Sequence, residues 1–170
     1  MKQLPQGARW LGAVATILAA LSLSSATKPT VKVAPMDSVG PRPVEEQTRV
    51  SVVRDYLRAW ETMDRALQLN RPDLLDEYFV GGAKQTLADT IREQEKLGIQ
   101  SAYGNQFHDL QVVFYSPEGL SIEIVDTAGY EVEVRDHEKV VGTKQVQARY
   151  VAVLTPTESK WKVRVFQGGS

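Results

Sequence analysis

The sharpest candidate for chemistry in the sequence is the pair His108-Asp109. Histidine titrates near neutral pH, so a histidine beside a carboxylate is a candidate general base. Neighbouring residues on a strand point to opposite faces, however, so Asp109 cannot orient His108 directly. The alternation of Leu110, Val112 and Phe114 predicts that all three point inward, and His108 shares their side of the strand. The simpler prediction for His108 is therefore a buried structural or pocket-lining role.

A helical carboxylate is the second acid that a catalytic site could use. Asp64 follows Met63, which belongs to the apolar side of its predicted helix, so the Asp64 carboxylate can reach the edge of an interior cavity. If Asp64 lies near His108, the two side chains would form an acid–base site. The alternative is that Asp64 is a charged residue on the surface. The only other histidine, His137, lies in a polar connection, and two histidines do not make a histidine-rich metal site. The sequence predicts no metal and no cofactor.

Aromatic side chains form the third group with a potential for binding. Their helical or alternating spacing is typical of a core, but buried tyrosine hydroxyls need hydrogen-bond partners, which allows a pocket with a tyrosine at its rim. The candidate pocket residues are Tyr56, Trp60, Tyr78, Phe107 and Tyr150.

Composition excludes several classes of function. The 170 residues contain no cysteine, which excludes disulfides, thiolate nucleophiles and zinc–cysteine sites. A formal charge of −1 lacks the basic excess of a dedicated nucleic-acid binder, so no nucleic-acid partner is expected. No glycine-rich phosphate loop follows a predicted strand.

The first 26 residues have the pattern of an export signal. Lys2 and Arg9 precede an apolar run over residues 10–23, and small residues end at Ala26. Cleavage after Ala26 would leave 18 basic and 21 acidic residues, a charge of −3. The alternative is an uncleaved anchor, in which residues 10–26 would be the only contact with a membrane. Both predict an exported domain in the periplasm or cell envelope, the second one anchored to the inner membrane.

Residues 27–46 contain four of the eight prolines and show little periodicity. Proline is excluded from regular ladders and from helix interiors, so this stretch is predicted to be an extended linker. The remaining domain is predicted to span residues 47–167.

Hydrophobic periodicity divides that domain into helices and strands. An apolar stripe at three- and four-residue steps predicts a helix over 50–67 with Asp55 on its polar side, followed by a short helix from Pro72 and a third over 83–97. A period of two then predicts about five antiparallel strands, with Thr127-Ala128-Gly129 as a turn between the second and the third. The predicted strands cover 107–115, 120–124, 130–135, 146–154 and 161–165.

This pattern predicts an α+β fold in which three N-terminal helices pack on a curved antiparallel sheet, leaving a cavity between helices and sheet. Four blocks carry a family resemblance: YLRAWETMDRAL (56–67), PDLLDEYFVGGA (72–83), TLADTIREQEKLG (86–98) and RYVAVLTPTESKWKVRVF (149–166). With them the chain resembles the nuclear-transport-factor-2-like cone fold, most of all the IMS-like domain of a plastid-division protein and its cyanobacterial relatives. The resemblance implies a binding or interaction module without defined catalysis. It also implies a homodimer through the open face of the sheet.

Three functions are consistent with these features. The first is a non-catalytic exported or membrane-tethered module that binds a partner protein or a small apolar ligand. The second is a SnoaL-like isomerase or hydrolase that uses His108 and Asp64 in the cone. The third is an assembly component of an envelope secretion apparatus, which a retained leader would favour.

The leader predicts a defined mature terminus. We expect N-terminal sequencing of the protein recovered from its native envelope to begin at Thr27, because Ser24 and Ala26 supply the small residues at the cleavage site. Replacing Ala26 with lysine should block processing and leave the longer chain. Recovery of an intact Met1 terminus from the unsubstituted protein would instead identify an anchor.

Overall fold

The structure is a computed structural model that describes residues 28–37 and 39–169. The predicted leader, residues 1–26, lies outside these ranges. No helix in the described ranges is both long and apolar enough to cross a bilayer.

The described chain is an α+β domain with a five-stranded sheet in the order β1-β2-β3-β4-β5. β1 pairs with β2 in parallel and the other pairs are antiparallel, so the sheet is mixed rather than wholly antiparallel as predicted. Two α-helices and a short 3-10 helix replace the three predicted helices. The helices are α1 (Glu46–Leu69), the 3-10 helix (Pro72–Glu77) and α2 (Gly81–Lys96), and the strands are β1 (Thr30–Val33), β2 (Ile99–Tyr115), β3 (Ile122–Asp136), β4 (Lys139–Pro156) and β5 (Trp161–Gly169).

Helix α1 lies against the concave face of the sheet, and its apolar stripe forms the centre of the core. The buried stripe comprises Val52, Tyr56, Trp60, Met63 and Leu67. Its second half follows the predicted spacing, whereas Val50, where the predicted helix begins, is 56% exposed. Asn70 caps the C-terminal end of the helix in a left-handed conformation (φ 51°), and its backbone N–H donates a hydrogen bond to the Ala66 carbonyl.

One acid on this helix contradicts the amphipathic prediction. Asp55 was expected on the polar side but is only 1% exposed. Its Oδ2 accepts a hydrogen bond from the backbone N–H of Trp161 at 2.8 Å, and its Oδ1 accepts one from the Nε–H of Arg54 at 2.8 Å. A buried carboxylate is tolerated when donors satisfy it, so Asp55 joins α1 to the beginning of β5.

The predicted turn at Thr127-Ala128-Gly129 is wrong, because β3 runs through it without interruption. Ala128 is fully buried and pairs with His108 of β2 and Ala148 of β4. Strand pairing on both sides satisfies the backbone groups that a turn would have used, so tertiary pairing overrides the local turn preference.

A bulge in β2 also reverses one predicted orientation. The register between β2 and β3 shifts between Val112 and Phe114, and the extra residue changes which face the following side chains occupy. Phe114, predicted to point inward, is therefore 39% exposed, whereas Tyr115 is buried.

Residues 28–45 are part of the domain and not the linker that their prolines predicted. Strand β1 pairs with Phe107–Leu110 of β2, Met36 is 5% exposed, and Arg42 lies over the Tyr115 ring at 5.2 Å from its centroid. The prolines are consistent with this arrangement because they lie outside the four-residue strand. Their restriction to extended backbone suits a segment that follows the sheet edge.

The burial of Met36 gives a test of this segment. We expect Met36→Ala to lower the free energy of unfolding by about 2 kcal/mol or more, because it removes a methionine side chain from a packed site. Denaturant titration measures the change, and the exposed neighbour Asp37→Ala is the matched control with little expected effect. Equal stability of both variants would restore the linker interpretation.

Candidate functional site

The interior of the cone holds a buried network around the Asp126 carboxylate. Oδ2 of Asp126 lies 2.8 Å from Nδ1 of His108 and accepts the Tyr56 hydroxyl at 3.0 Å. The three residues are almost completely buried. A buried carboxylate needs such partners, so His108 and Tyr56 allow Asp126 to lie inside an apolar core.

Three elements supply the network, and the alternation of the sheet aligns it. His108 on β2 pairs with Ala128 on β3, and Asp126 is two residues away on the same face of β3. Tyr56 reaches them from the helix above. The ordinary strand period thus brings together two polar side chains that lie 18 residues apart in sequence.

Trp60 fills the centre of the cone beside this network. Its ring centroid is 5.0 Å from that of His108 in an edge arrangement, and four further aromatic rings surround it. These rings belong to Tyr103, Tyr130, Tyr150 and Phe166, with centroids 5.1–6.4 Å from Trp60. Aromatic side chains therefore occupy the space around Trp60.

Burial shifts the acidities of the tyrosines in this interior. Desolvation, reinforced by the neighbouring Asp126 charge, raises the pKa of Tyr56 well above 10, and a smaller interaction with Trp60 opposes that shift. Burial likewise raises the pKa of Tyr103 to about 12 and that of Tyr150 further. Tyr56 therefore remains a proton donor to Asp126 at any physiological pH.

A polar cleft of about 750 Å³ opens between α1 and the ends of β2 and β3. Its lining includes four acids and two bases around the edge of Tyr103, and these charged residues are Glu61, Asp64, Glu131, Glu133, Lys28 and Arg135. Partial burial raises the pKa of Asp64, while the hydrogen bonds that it accepts from Gln68 and the Tyr103 N–H oppose the shift.

Gln106 separates this cleft from the interior network. Its side chain lines the cleft, and its Oε1 lies 3.5 Å from Nε2 of His108. The ring nitrogen that Asp126 does not contact therefore faces the cleft across one amide group. Neither His108 nor Asp126 lines the cleft itself.

The predicted pairing of His108 with Asp64 is wrong. Asp64 accepts the Tyr103 N–H at 2.7 Å and the Gln68 amide at 2.8 Å, whereas the ring of His108 engages Asp126. Asp64 belongs to the cleft and His108 to the interior, so the two do not form a common acid–base site.

The five predicted pocket residues are brought together only in part. Tyr56, Trp60 and Tyr150 meet in the interior, but Phe107 lies on the opposite face of β2 from His108 and is exposed. Tyr78 ends the 3-10 helix, where the Lys160 ammonium lies 4.4 Å from its ring centroid. Phe107 lines a separate shallow depression of about 410 Å³ on the sheet surface, beside Gly129.

Asp126 is the site residue that sequence reasoning missed. It belongs to the inward alternation of Ile122, Ile124 and Ala128, and an acid at an inward position of an apolar strand is the signal that could have identified it. The wrongly predicted turn at 127–129 hid that signal by ending the strand too early.

The arrangement has the parts of an acid–base pair but lacks contact with solvent. A carboxylate that holds Nδ1 of a histidine can orient Nε2 for proton transfer, provided that a substrate reaches it. Among the described residues, no group of three histidine, aspartate or glutamate side chains converges into a metal site.

Comparison with solved structures supports the cone fold. The intermembrane space region of the chloroplast protein ARC6 is 18% identical, with a TM-score of 0.57 over 75% of this chain and 98% of that one. Aln2 from a Streptomyces species is 15% identical, with a TM-score of 0.51 over 73% and 90%.

The predicted NTF2-like cone fold is thus confirmed. At such low identity the similarity concerns the fold alone. No protein-family model and no curated protein sequence matches the chain.

The interior network predicts a particular dependence of stability on pH. We expect Tyr56→Phe to lower the free energy of unfolding by about 2 kcal/mol at pH 7, because a buried carboxylate loses a donor. The raised pKa of Tyr56 means that the unfolded chain ionises first, near pH 10, so wild-type stability falls above that pH.

The variant lacks that contribution and should lose stability less steeply between pH 10 and 11. Denaturant titrations at pH 7, 10 and 11 measure both effects. Parallel pH profiles for the two proteins would count against a buried Tyr56–Asp126 hydrogen bond.

Proposed function

We propose that this chain is a non-catalytic, exported module of the periplasm or cell envelope that binds a partner protein through its sheet. The observation that carries the proposal is the filled interior. His108 and Asp126 are 1% and 0% exposed, and aromatic rings occupy the space around Trp60. A catalytic pair must touch its substrate, and this pair touches only protein groups.

The filled interior also disfavours the small apolar ligand that the sequence left open. A ligand site is usually a concave, largely apolar pocket that is already formed. The cleft is instead lined by charged and amide side chains, and neither Trp60 nor Tyr56 reaches it. A partner protein is the remaining class of ligand for the first function.

Exposed apolar side chains on the sheet support a protein partner. They project from the outer face, from the loop after β2 and from the hairpin between β3 and β4, and they comprise Phe107, Val113, Phe114, Leu120, Val140 and Val141. Three further exposed apolar residues lie on or beside the helices, and these are Val50, Leu69 and Leu97. The larger share therefore lies on the sheet and its loops, and exposed apolar groups are typical of interaction surfaces. The exposed surface of α2 itself offers polar and charged side chains.

Export is the second part of the proposal and rests mainly on the leader pattern of residues 1–26. The similarity to a region that lies between two membranes of the chloroplast is consistent with a domain that functions outside the compartment of its synthesis. The absence of cysteine then means that packing alone stabilises the domain in an oxidising compartment.

Photocrosslinking in the native envelope tests the proposed function. A photoreactive phenylalanine analogue at Phe114 or Val141 should give a discrete adduct with another protein, because both positions are exposed on the sheet. The same analogue at Gln85, exposed on α2, is the matched control and should give none. Adducts at Gln85 alone, or at none of the three positions, would contradict the proposal.

Acid–base catalysis on a small molecule is a second candidate function, favoured by one observation. Asp126 holds the His108 ring through Nδ1, and Gln106 lies between Nε2 and the cleft. Rotation of one glutamine side chain would expose an oriented imidazole to a cleft large enough for a small substrate.

Histidine acylation separates the two functions, because the chain has only two histidines. With diethyl pyrocarbonate we expect His137, on the exposed hairpin, to react quickly and His108 to be at least about tenfold slower, since its ring is buried. Peptide mass spectrometry assigns each site. The Gln106→Gly variant, in which the path from the cleft to His108 is open, gives the reference rate of acylation. If His108 of the wild-type protein reacts as fast as His108 of that variant, the result would favour the enzymatic function.

A further inference from the structure

The outer edge of β4 between Lys139 and Ala148 has no neighbouring strand in the described part of the chain. β4 is 18 residues long, whereas β5 is nine and pairs only with the stretch from Arg149 to Pro156. On the other side, β3 pairs with β4 along nearly its whole length. Residues 139–148 of β4 therefore have a strand neighbour on one side only, and we call their other side the free edge.

A free edge carries unpaired backbone donors and acceptors. In an antiparallel pair, alternate residues direct both their N–H and C=O groups away from the partner, so about half of residues 139–148 present them outward. Residues 139–145 are exposed, with Val140 at 45% and Val141 at 55%. An exposed edge of this length is a template for an added strand.

The charged residues of this edge are both positive. They are Lys139 and Lys144, and residues 139–148 contain no acid. Within the described residues neither lysine forms an ion pair within 4.0 Å. An acidic partner segment would complement them, because facing charges of opposite sign favour one partner over others.

The lysines of this edge favour an acidic strand over a second copy of this chain. A second copy brings no acid to the edge, because residues 139–148 contain none. Like charges directly opposite each other destabilise strand pairs, and edge lysines are a common protection against self-association.

We propose that residues 139–148 of β4 bind an extended, acidic segment of a partner protein, which adds to the sheet as a further strand. Backbone hydrogen bonds supply most of the affinity, and Lys139 and Lys144 select acidic side chains on the added strand. This inference rests on the proposed function and specifies where on the sheet the partner binds.

Photocrosslinking from the edge, in the native envelope and with the full chain, tests the inference. The photoreactive analogue at Val141 should capture a partner peptide that mass spectrometry identifies as an acidic segment. Adding Lys144→Glu should reduce the adduct about tenfold, because it places a negative charge against that segment. Lys96→Glu, the same substitution on exposed α2, should leave the yield unchanged, and thermal melts confirm that both variants fold.

Amide exchange then tests strand addition itself. A synthetic peptide with the captured sequence should slow exchange at alternate amides of residues 139–148, because only outward N–H groups gain new acceptors. Protection confined to another part of the sheet would overturn the inference. The same peptide with its acids changed to glutamine is the control for charge selection and should bind more weakly.

Other crosslinking results at Val141 would contradict the proposed binding of an acidic segment to residues 139–148. An adduct with a second copy, an adduct within the same chain, or a captured segment without acidic residues would overturn it. Capture at Phe114 but not at Val141 would also overturn it while leaving the proposed function intact. Absence of adducts at both sheet positions would overturn the proposed function as well.

Discussion

The interior of the domain is organised around one buried charge. Oδ2 of Asp126 is held between His108 on β2 and Tyr56 on α1, at 2.8 and 3.0 Å. A carboxylate without these donors would carry a desolvation cost of several kcal/mol. The network therefore penalises any displacement of the helix along the sheet, and Asp55, bound to the N–H of Trp161, fixes the same helix against β5.

The same charge explains why the interior resembles an active site and is nevertheless closed. Trp60 and its aromatic neighbours surround His108 and Asp126, so the network is dry and rigid, conditions that strengthen hydrogen bonds. Those conditions suit a structural role because both donors, Tyr56 and His108, engage the same Asp126 Oδ2, although Oδ1 of Asp126 is buried without a partner among the described residues. The Gln106 side chain lies between the imidazole and the cleft. The network is structural while Gln106 keeps this position, and it could act on a substrate only if Gln106 moved away.

Both edges of the sheet are only partly covered by the described chain. At β2, strand β1 covers residues 107–110, and the segment that follows is anchored by Met36 and by Arg42 over Tyr115. Residues 99–106 of β2 have no strand beyond them in the described ranges and carry no charged side chain. At β4, strand β5 covers the second half, and residues 139–148 present two lysines and free backbone groups. An uncovered edge can accept another strand, and the lysines of β4 distinguish the edge that suits an acidic partner.

The sequence by itself determined the class of fold and part of the core, because apolar spacing indicates which side of a helix or strand avoids water. It placed His108 on the inward side of its strand and Trp60 on the apolar stripe of its helix, and both are buried. Only the tertiary structure decided that His108 pairs with Asp126 and not Asp64, that Phe114 points outward, and that 127–129 is strand. These outcomes depend on strand pairing, on a bulge and on contacts between distant residues, and local patterns do not encode those interactions.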